Sequence, residues 1–141
     1  MKQTNFFISL LICLGLMFAV SSCNDKERPL VCGENVIICA DLFQNTPDVS
    51  EQTMFGISNV RIEGNNLKFT INSGGCGGST WVVKLVVAES VSGIYPPART
   101  LRILFENNED CFAIVNRDFS FSIECLKPSW ISIAGYSFLF E

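Results

Sequence analysis

Short runs in which apolar and polar residues alternate follow one another along most of the chain, and a period of two is typical of β-strands. The clearest pair of runs, at residues 57–62 and 67–71, flanks the turn-forming tripeptide Gly64-Asn65-Asn66 and predicts a β-hairpin. A second hairpin is predicted where residues 101–105 and 111–115 flank a polar, acidic turn.

Further strands are predicted on either side of these hairpins. The apolar, β-branched run 36–43 suits a buried strand, residues 81–87 alternate strongly, and run 119–125 places Phe and Ile on one face. The chain closes with two more runs, at residues 130–133 and 136–140. Eight or nine short strands without a convincing helix predict an all-β protein, an antiparallel β-sandwich of immunoglobulin-like character. The Cys and Trp spacing of a true immunoglobulin domain is missing, so the strand order stays open.

The start of the chain has a different pattern, with a basic residue at Lys2, an apolar stretch at 6–20 and the small pair Ser21-Ser22. These are the three parts of a cleavable signal peptide. As a helix, the apolar stretch would span about 22 Å at ~1.5 Å per residue, which is less than a hydrocarbon core of roughly 30 Å. We therefore expect residues 1–22 to direct secretion and to be removed.

The residues around the expected cleavage point, Val20-Ser21-Ser22-Cys23, resemble the bacterial lipobox. The resemblance implies that Cys23 carries acyl chains, which attach the mature protein to a membrane. We expect residues 23–34 to be the lipidated Cys and a flexible tether, and residues 35–141 to be the β-sandwich domain. The run 24–29 resembles the acidic export signals of surface lipoproteins in Bacteroidetes-type envelopes, which implies the outer membrane or cell surface. An ordinary signal peptide with a coincidental Cys is the alternative.

Charge and composition narrow the function. The mature chain would have nine basic and fourteen acidic residues, because Lys2 is lost with the signal, and its formal charge would be −5. Nucleic acid is an improbable partner, since nucleic-acid binding requires a basic face. The sequence contains no His, which removes Ser-His-Asp and Cys-His catalysis and the commonest zinc ligand. No cofactor or metal site is predicted.

Five cysteines follow the lipidation site, and they are Cys32, Cys39, Cys76, Cys111 and Cys125. Outside the cytoplasm they can form at most two disulfides, and sequence alone does not choose among the pairings. We favour Cys76–Cys111 and Cys32–Cys39. Cys125 continues the apolar face of the preceding strand and is expected to be a buried free thiol. A zinc site is disfavoured because no C-x-x-C occurs.

The most unusual segment is 73–80, which places four glycines around Cys76 directly before a strand. It is not a phosphate-binding P-loop, because no Lys and no helix follow. We interpret the glycines, including Gly74 and Gly75, as allowing positive φ and close chain approach around a disulfide. A ligand-binding loop is the alternative. For the acidic run 106–110, a solvated turn is the simpler interpretation and a weak calcium site the alternative.

Three segments are expected to lie outside the strands, namely 44–53, 73–80 and 89–99. Loops on a rigid scaffold commonly carry recognition, so these segments would form a binding surface if they lay at one end of the sandwich. Within them, Tyr95-Pro96-Pro97 is the candidate contact. A sugar-stacking platform would use the four Trp and Tyr residues, which are Trp81, Tyr95, Trp130 and Tyr136.

Four stretches between about residues 70 and 125 resemble small lipoproteins of Bacteroidetes-type bacteria: Gly75–Trp81, Pro96-Pro97, Glu106–Ala113 and Phe119–Ile123. The members of this group are uncharacterised. The resemblance implies the lineage and the Cys76–Cys111 pairing, and it transfers no active site.

The leading hypothesis is a non-enzymatic, lipid-anchored module that binds a protein or glycan partner at the envelope or has a structural role there. A small immunoglobulin-like protease inhibitor and a glycan-binding accessory lipoprotein are the alternatives. An enzyme would require an exposed cluster of carboxylates with raised pKa values.

Overall fold

The computed structural model describes residues 30–88 and 93–141. Within them the chain forms nine strands and one α-helix, together with 3-10 turns at Val49–Glu51 and Glu124–Leu126. In chain order these are β1 (Leu30–Val31), β2 (Val36–Ile38), α1 (Ala40–Asn45), β3 (Phe55–Glu63), β4 (Asn66–Gly75), β5 (Val82–Val87), β6 (Ala98–Glu106), β7 (Ala113–Ser122), β8 (Ser129–Ile133) and β9 (Tyr136–Phe140).

The larger sheet has six strands in the order β1-β2-β5-β6-β8-β9. Strand β2 pairs in parallel with β5, and β6 pairs in parallel with β8, while the other pairs are antiparallel. The parallel pairs arise because the chain leaves this sheet after β2 and again after β6 to build the smaller sheet, and then returns in the same direction. The protein is therefore all-β in character as expected, but its larger sheet is mixed and not purely antiparallel.

The smaller sheet is antiparallel and has the order β3-β4-β7. Its β3–β4 pair is the first predicted hairpin, which is confirmed, and Gly64 adopts a positive φ of 58° in the turn. The second predicted hairpin is wrong: β6 pairs with β5 and β8, whereas β7 pairs along its whole length with β4. The acidic turn between β6 and β7 thus carries the chain from one sheet to the other.

The two sheets enclose one hydrophobic core. The side chains of Leu67, Phe69 and Ile71 on β4 are almost fully buried, as are Leu85 and Ile103 on the larger sheet. Burying each side chain of this size stabilises the fold by about 1.5–3 kcal/mol. The alternation seen in the sequence therefore separates the inner face of each sheet from its outer face.

Helix α1 was not expected, because residues 36–43 were predicted to form one strand. Strand β2 ends at Ile38, and the helix begins at Ala40. Arg102 on β6 fixes the helix from the outer face of the larger sheet: its Nη1 donates to the carbonyls of Phe43 and Thr46, both at 2.8 Å. Its guanidinium carbon also lies 4.2 Å from the centre of the Phe43 ring. This contact joins residues almost sixty positions apart in sequence, so local pattern could not show it.

The cysteines form two disulfides, Cys32–Cys125 and Cys76–Cys111. The second pair is confirmed, whereas the preferred Cys32–Cys39 pair is wrong and Cys39 is the free thiol. The strand that was expected to bury Cys125 ends at Ser122, and Cys125 lies in the following 3-10 turn with its side chain exposed. Because the turn breaks the period of two, Cys125 reaches Cys32 instead of the core.

Ordered structure begins earlier than the predicted domain boundary. Strand β1 and the disulfide-bonded Cys32 both lie within residues 23–34, which were expected to form the tether. Cys23 and the predicted signal peptide fall outside the residues that the structure describes. Across the described ranges, 30–88 and 93–141, none of the helices is long and apolar enough to cross a membrane.

Candidate functional site

Strand β5 separates two of the predicted binding segments. Residues 73–80 precede its first residue, Val82, whereas Tyr95-Pro96-Pro97 follow its last, Val87. A strand of this length spans about 17 Å at ~3.3 Å per residue. We call the Val82 side the glycine end (residues 73–81 and 107–114) and the Val87 side the proline end (residues 93–98, 127–130 and 139–140).

The third predicted segment, 44–53, joins neither end as a loop. It starts in α1 on the outer face of the larger sheet and leads to Met54, whose carbonyl accepts a hydrogen bond from Ser73 Oγ at 2.8 Å. The three segments therefore do not form one surface. Gly74 and Gly75 lie at the glycine end, paired with Ile114 and Ala113 of β7.

At the glycine end, the carboxylate of Glu109 is bound by the backbone of the glycine-rich loop. Its Oε2 accepts hydrogen bonds from the N–H groups of Cys76, Gly77 and Gly78 at 2.6, 3.1 and 2.9 Å. Its Oε1 accepts one from the Thr80 hydroxyl at 3.0 Å. Consecutive N–H groups converging on one oxygen form an anion-binding nest. The nest of this protein is occupied by its own side chain.

The glycines are needed because the nest is tight. A Cβ on Gly75 would lie 2.5 Å from Glu109 Oε2 and 3.2 Å from the Trp81 ring. Gly78 adopts a φ of +70°, and Arg117 Nη1 donates to its carbonyl. The glycines were expected to allow positive φ and close chain approach around a disulfide. Gly78 has a positive φ, but the group that lies closest to Gly75 is the Glu109 carboxylate.

The amide donors, with Gly78 first, lower the pKa of the Glu109 carboxyl to about 2 from its usual 4.5. A carboxyl whose pKa is lowered on folding stabilises the native state above its unfolded pKa, and this stabilisation is lost as the pH falls towards the folded value. Between pH 4.5 and 2, the nest therefore loses its contribution to folding.

We predict that Glu109→Gln is less stable than the wild type at pH 7 and that the difference shrinks as the pH falls from 4.5 to 2. Urea unfolding at a series of pH values measures it. The ammonium of Lys68 and the guanidinium of Arg61 lower the pKa of Glu63 to about 2 as well, but Glu63 titrates in both proteins and cancels in the comparison. Parallel pH profiles for the two proteins would contradict the role of the nest.

Further bonds fix the acidic turn on the glycine-rich loop. The side-chain amide of Asn107 donates to the Gly74 carbonyl at 2.6 Å, and its oxygen accepts from the backbone N–H of Glu109 at 2.9 Å. The Cys76–Cys111 disulfide closes the turn, with Cα atoms 4.9 Å apart. The turn is therefore docked, not freely solvated. In the described residues no three acidic or Cys side chains gather as a metal site would require, and Glu109 is already bound to amides.

Two apolar side chains project from this fixed turn. Phe112, directly after Cys111, is 100% exposed, and Ile114 is 85% exposed. Ile114 lies on the outer face of β7, where the next residues of that face, Asn116 and Asp118, are polar, and Phe112 directly precedes the strand. Sequence reasoning missed both residues. The sequence signal was that Phe112 and Ile114 fall at every second position together with Asn116 and Asp118, whose polar side chains mark the solvent-facing side of the strand.

The proline end has a second group of exposed apolar side chains. Tyr95 is 85% exposed, and Ile94, Trp130 and Leu139 are each about half exposed. The backbone N–H of Trp130 donates to the Pro97 carbonyl at 2.9 Å, and Trp130 lies directly opposite Leu139 in the β8–β9 pair. Ile94 and Tyr95 belong to the segment that leads through Pro97 into β6, so all four residues lie at the same end of the larger sheet.

The four aromatic residues considered for a sugar platform do not come together. Trp81 is buried and packs edge-on against Phe105, with ring centres 5.2 Å apart. Tyr136 begins β9 at the opposite end of the β8–β9 hairpin from Trp130. Tyr95 and Trp130 are at the same end of the larger sheet, where the backbone N–H of Trp130 bonds to the Pro97 carbonyl.

The carboxyls with shifted pKa values give no acid for catalysis. The pKa values of Asp48, Glu63 and Glu109 are all lowered by hydrogen bonds to the charged form. A general acid near neutral pH needs the opposite, a pKa raised by burial or by a second carboxylate. An open cleft of about 410 Å³ beside the β8–β9 turn is lined by Asp48, Ile57 and Tyr136, and Asp48 is its one carboxylate.

No protein-family model matches the chain, and neither curated proteins nor solved structures include a match. The similarity to small lipoproteins of Bacteroidetes-type bacteria therefore stays a prediction.

Proposed function

We propose that the protein is a lipid-anchored, non-enzymatic binding module of the outer membrane or cell surface that presents its glycine end to a protein partner. The observation that carries the proposal is Phe112, a fully exposed aromatic side chain on a turn fixed by a disulfide and by the Glu109 nest. Exposing such a side chain on a rigid scaffold has a cost in solubility, which binding would offset.

Rigidity makes this side chain effective in binding. A loop that is already ordered loses little conformational entropy when a partner binds, so more of the contact energy appears as affinity. Aromatic residues are also enriched among the few residues that dominate interface energies. Phe112 and its neighbour Ile114 therefore form the centre of the proposed contact.

The proposed anchor and the proposed contact lie at opposite ends. Leu30, the first described residue after the tether, pairs with Ile38, and Ile38 pairs with Val87. The tether therefore enters at the proline end. A domain attached through Cys23 would direct Phe112 away from its membrane, where a soluble or cell-surface partner can reach it.

A site-specific photo-crosslinker tests the contact in intact cells that express the lipidated protein. With the crosslinker at position 112 we expect a discrete adduct, and with it at Ser137, an exposed position on β9, we expect none. In a pull-down without the crosslinker, Phe112→Ser should no longer capture the partner identified from the adduct, while Cys23→Ala should release the protein from the membrane fraction. Equal crosslinking from both positions would contradict a specific contact at Phe112.

A small protease inhibitor of immunoglobulin-like fold is the second candidate. The observation that favours it is again Phe112 next to a disulfide, because a rigid loop with an exposed aromatic side chain suits the apolar specificity pocket of a protease that cleaves after aromatic residues. Inhibition of such a protease at micromolar concentration, and its loss in Phe112→Ala, is the expected result. No inhibition across a panel of proteases would eliminate this candidate. A glycan partner has less support, since the four Trp and Tyr residues do not form one platform.

A further inference from the structure

The exposed apolar side chains of the proline end have no role in the proposed partner contact. Ile94, Tyr95, Trp130 and Leu139 are exposed over 43–85% of their surface and lie on one end of the larger sheet. Apolar side chains gathered in this way on a small domain usually mark an interaction surface. Their position relative to the tether indicates which surface they meet.

The tether enters at the same end. Across the larger sheet, the paired residues Leu30, Ile38, Val87 and Leu101 lie at the same level. Strand β6 begins three residues before Leu101, at Ala98, which pairs with Trp130. From Cys23 to Leu30 the chain can reach at most about 25 Å, at ~3.6 Å per residue. A lipid on Cys23 therefore keeps the proline end within a short distance of the bilayer.

We infer that the proline end docks on the bilayer that holds the anchor, with Ile94, Tyr95, Trp130 and Leu139 in the interfacial layer. The inference rests on the proposed lipid anchor. Trp and Tyr favour the membrane interface, where the ring is buried and its polar group stays hydrated. Lys127, exposed at the same end with its ammonium 4.7 Å from the Phe140 ring centre, suits contact with lipid phosphates.

Four exposed apolar side chains are enough for docking, because the tether already holds the domain on the same membrane. A short tether gives the second contact a high effective concentration, so even weak insertion is occupied most of the time. The mature protein is acidic, with a formal charge of −5, and electrostatic attraction to anionic lipids does not drive docking. We therefore expect docking on zwitterionic vesicles and little dependence on salt.

Quenching of tryptophan fluorescence tests the docked orientation. The lipidated protein, with acylation verified by mass spectrometry, is reconstituted into phosphatidylcholine vesicles that contain a nitroxide-labelled lipid. A label near the headgroup should quench Trp130, while Trp81, which is buried next to the glycine end, stays unquenched. Trp130→Phe should remove the quenching, which assigns the signal to this residue.

A second pair of variants separates docking from mere proximity. Ile94→Ser combined with Leu139→Ser leaves Trp130 as the reporter and should reduce quenching several-fold. Met54→Ser should leave it unchanged, because Met54 is 72% exposed and its carbonyl bonds to Ser73 at the glycine end. Unquenched Trp130 in verified lipidated protein would overturn the docking inference alone. Failure to find the acyl group would overturn the anchor of the proposed function as well. Mapping of both disulfides in each variant confirms that it has folded.

Discussion

Replacing Cys32 and Cys125 together by Ser is expected to lower the free energy of unfolding by about 4.5 kcal/mol. The two residues are 93 positions apart, so their disulfide restricts most of the unfolded domain. In the chain-entropy description, the stabilisation grows with the logarithm of the loop length, which gives this value for a loop of this size. Urea unfolding of the mature chain, followed by circular dichroism, measures the change.

Cys39→Ser is the matched control, because it removes the one described cysteine that is outside a disulfide. We expect it to change stability by less than about 1 kcal/mol, since it removes neither a covalent link nor a large apolar side chain. Alkylation of the denatured, unreduced protein should modify Cys39 and leave Cys32 unmodified. A Cys32–Cys39 disulfide peptide in a non-reducing digest would contradict the connectivity.

Gly75→Ala is expected to destabilise the protein by about 1–3 kcal/mol, the range for a group forced into a space that is already filled. The new methyl group would lie 2.5 Å from Glu109 Oε2 and within 3.3 Å of two atoms of the Trp81 ring. Both neighbours are held, Glu109 by the nest and Trp81 by the core. The side chain that can leave is Glu109, so the variant should also lose the pH dependence attributed to the nest.

Gly77→Ala, two residues further on, separates this clash from the general effect of replacing a glycine. No heavy atom beyond its chain neighbours lies within 4 Å of a Cβ at that position. Its stability should stay within about 1 kcal/mol of the wild type, as is usual for a surface substitution. If both variants lost stability equally, the packing of Gly75 against Glu109 would not be the cause.

Sequence pattern was sufficient where the determinants were local. The β3–β4 hairpin follows from two alternating runs and a glycine turn, and the core residues of β4 follow from the same phase. The glycine-rich segment was also recognised as a place of close chain approach. Each of these predictions rests on residues that are neighbours in sequence.

The errors all involve contacts between distant residues. Helix α1 accepts a hydrogen bond from Arg102, and Cys125 forms a disulfide with Cys32. The connection from β6 to β7 is linked to the glycine-rich loop by the Cys76–Cys111 disulfide. The alternating runs at both sides of the acidic turn had the form of a hairpin. The turn itself is drawn to the end of β4 by bonds from Asn107, and β7 then continues along β4.

The candidate site was predictable only in part. Gly74 and Gly75 were identified, but the partner of the glycine-rich loop is Glu109, some thirty residues away. Tyr95 was identified as a candidate contact and is 85% exposed, whereas nothing in the sequence indicated that Trp130, on a predicted strand, would be 46% exposed. Strand β8 has an outer face as well as an inner one, and period alone does not say which is which.

The two parallel strand pairs determine how early the chain could fold if it is exported as proposed. Strand β2 lacks its parallel partner until β5 has emerged, and β6 lacks its parallel partner until β8, near the carboxyl terminus, has emerged. Folds dominated by such pairings between distant segments acquire structure slowly, in milliseconds to seconds. A chain exported as proposed would therefore cross the membrane largely unfolded, and its apolar strands would be open to holding factors until the last hairpin had emerged.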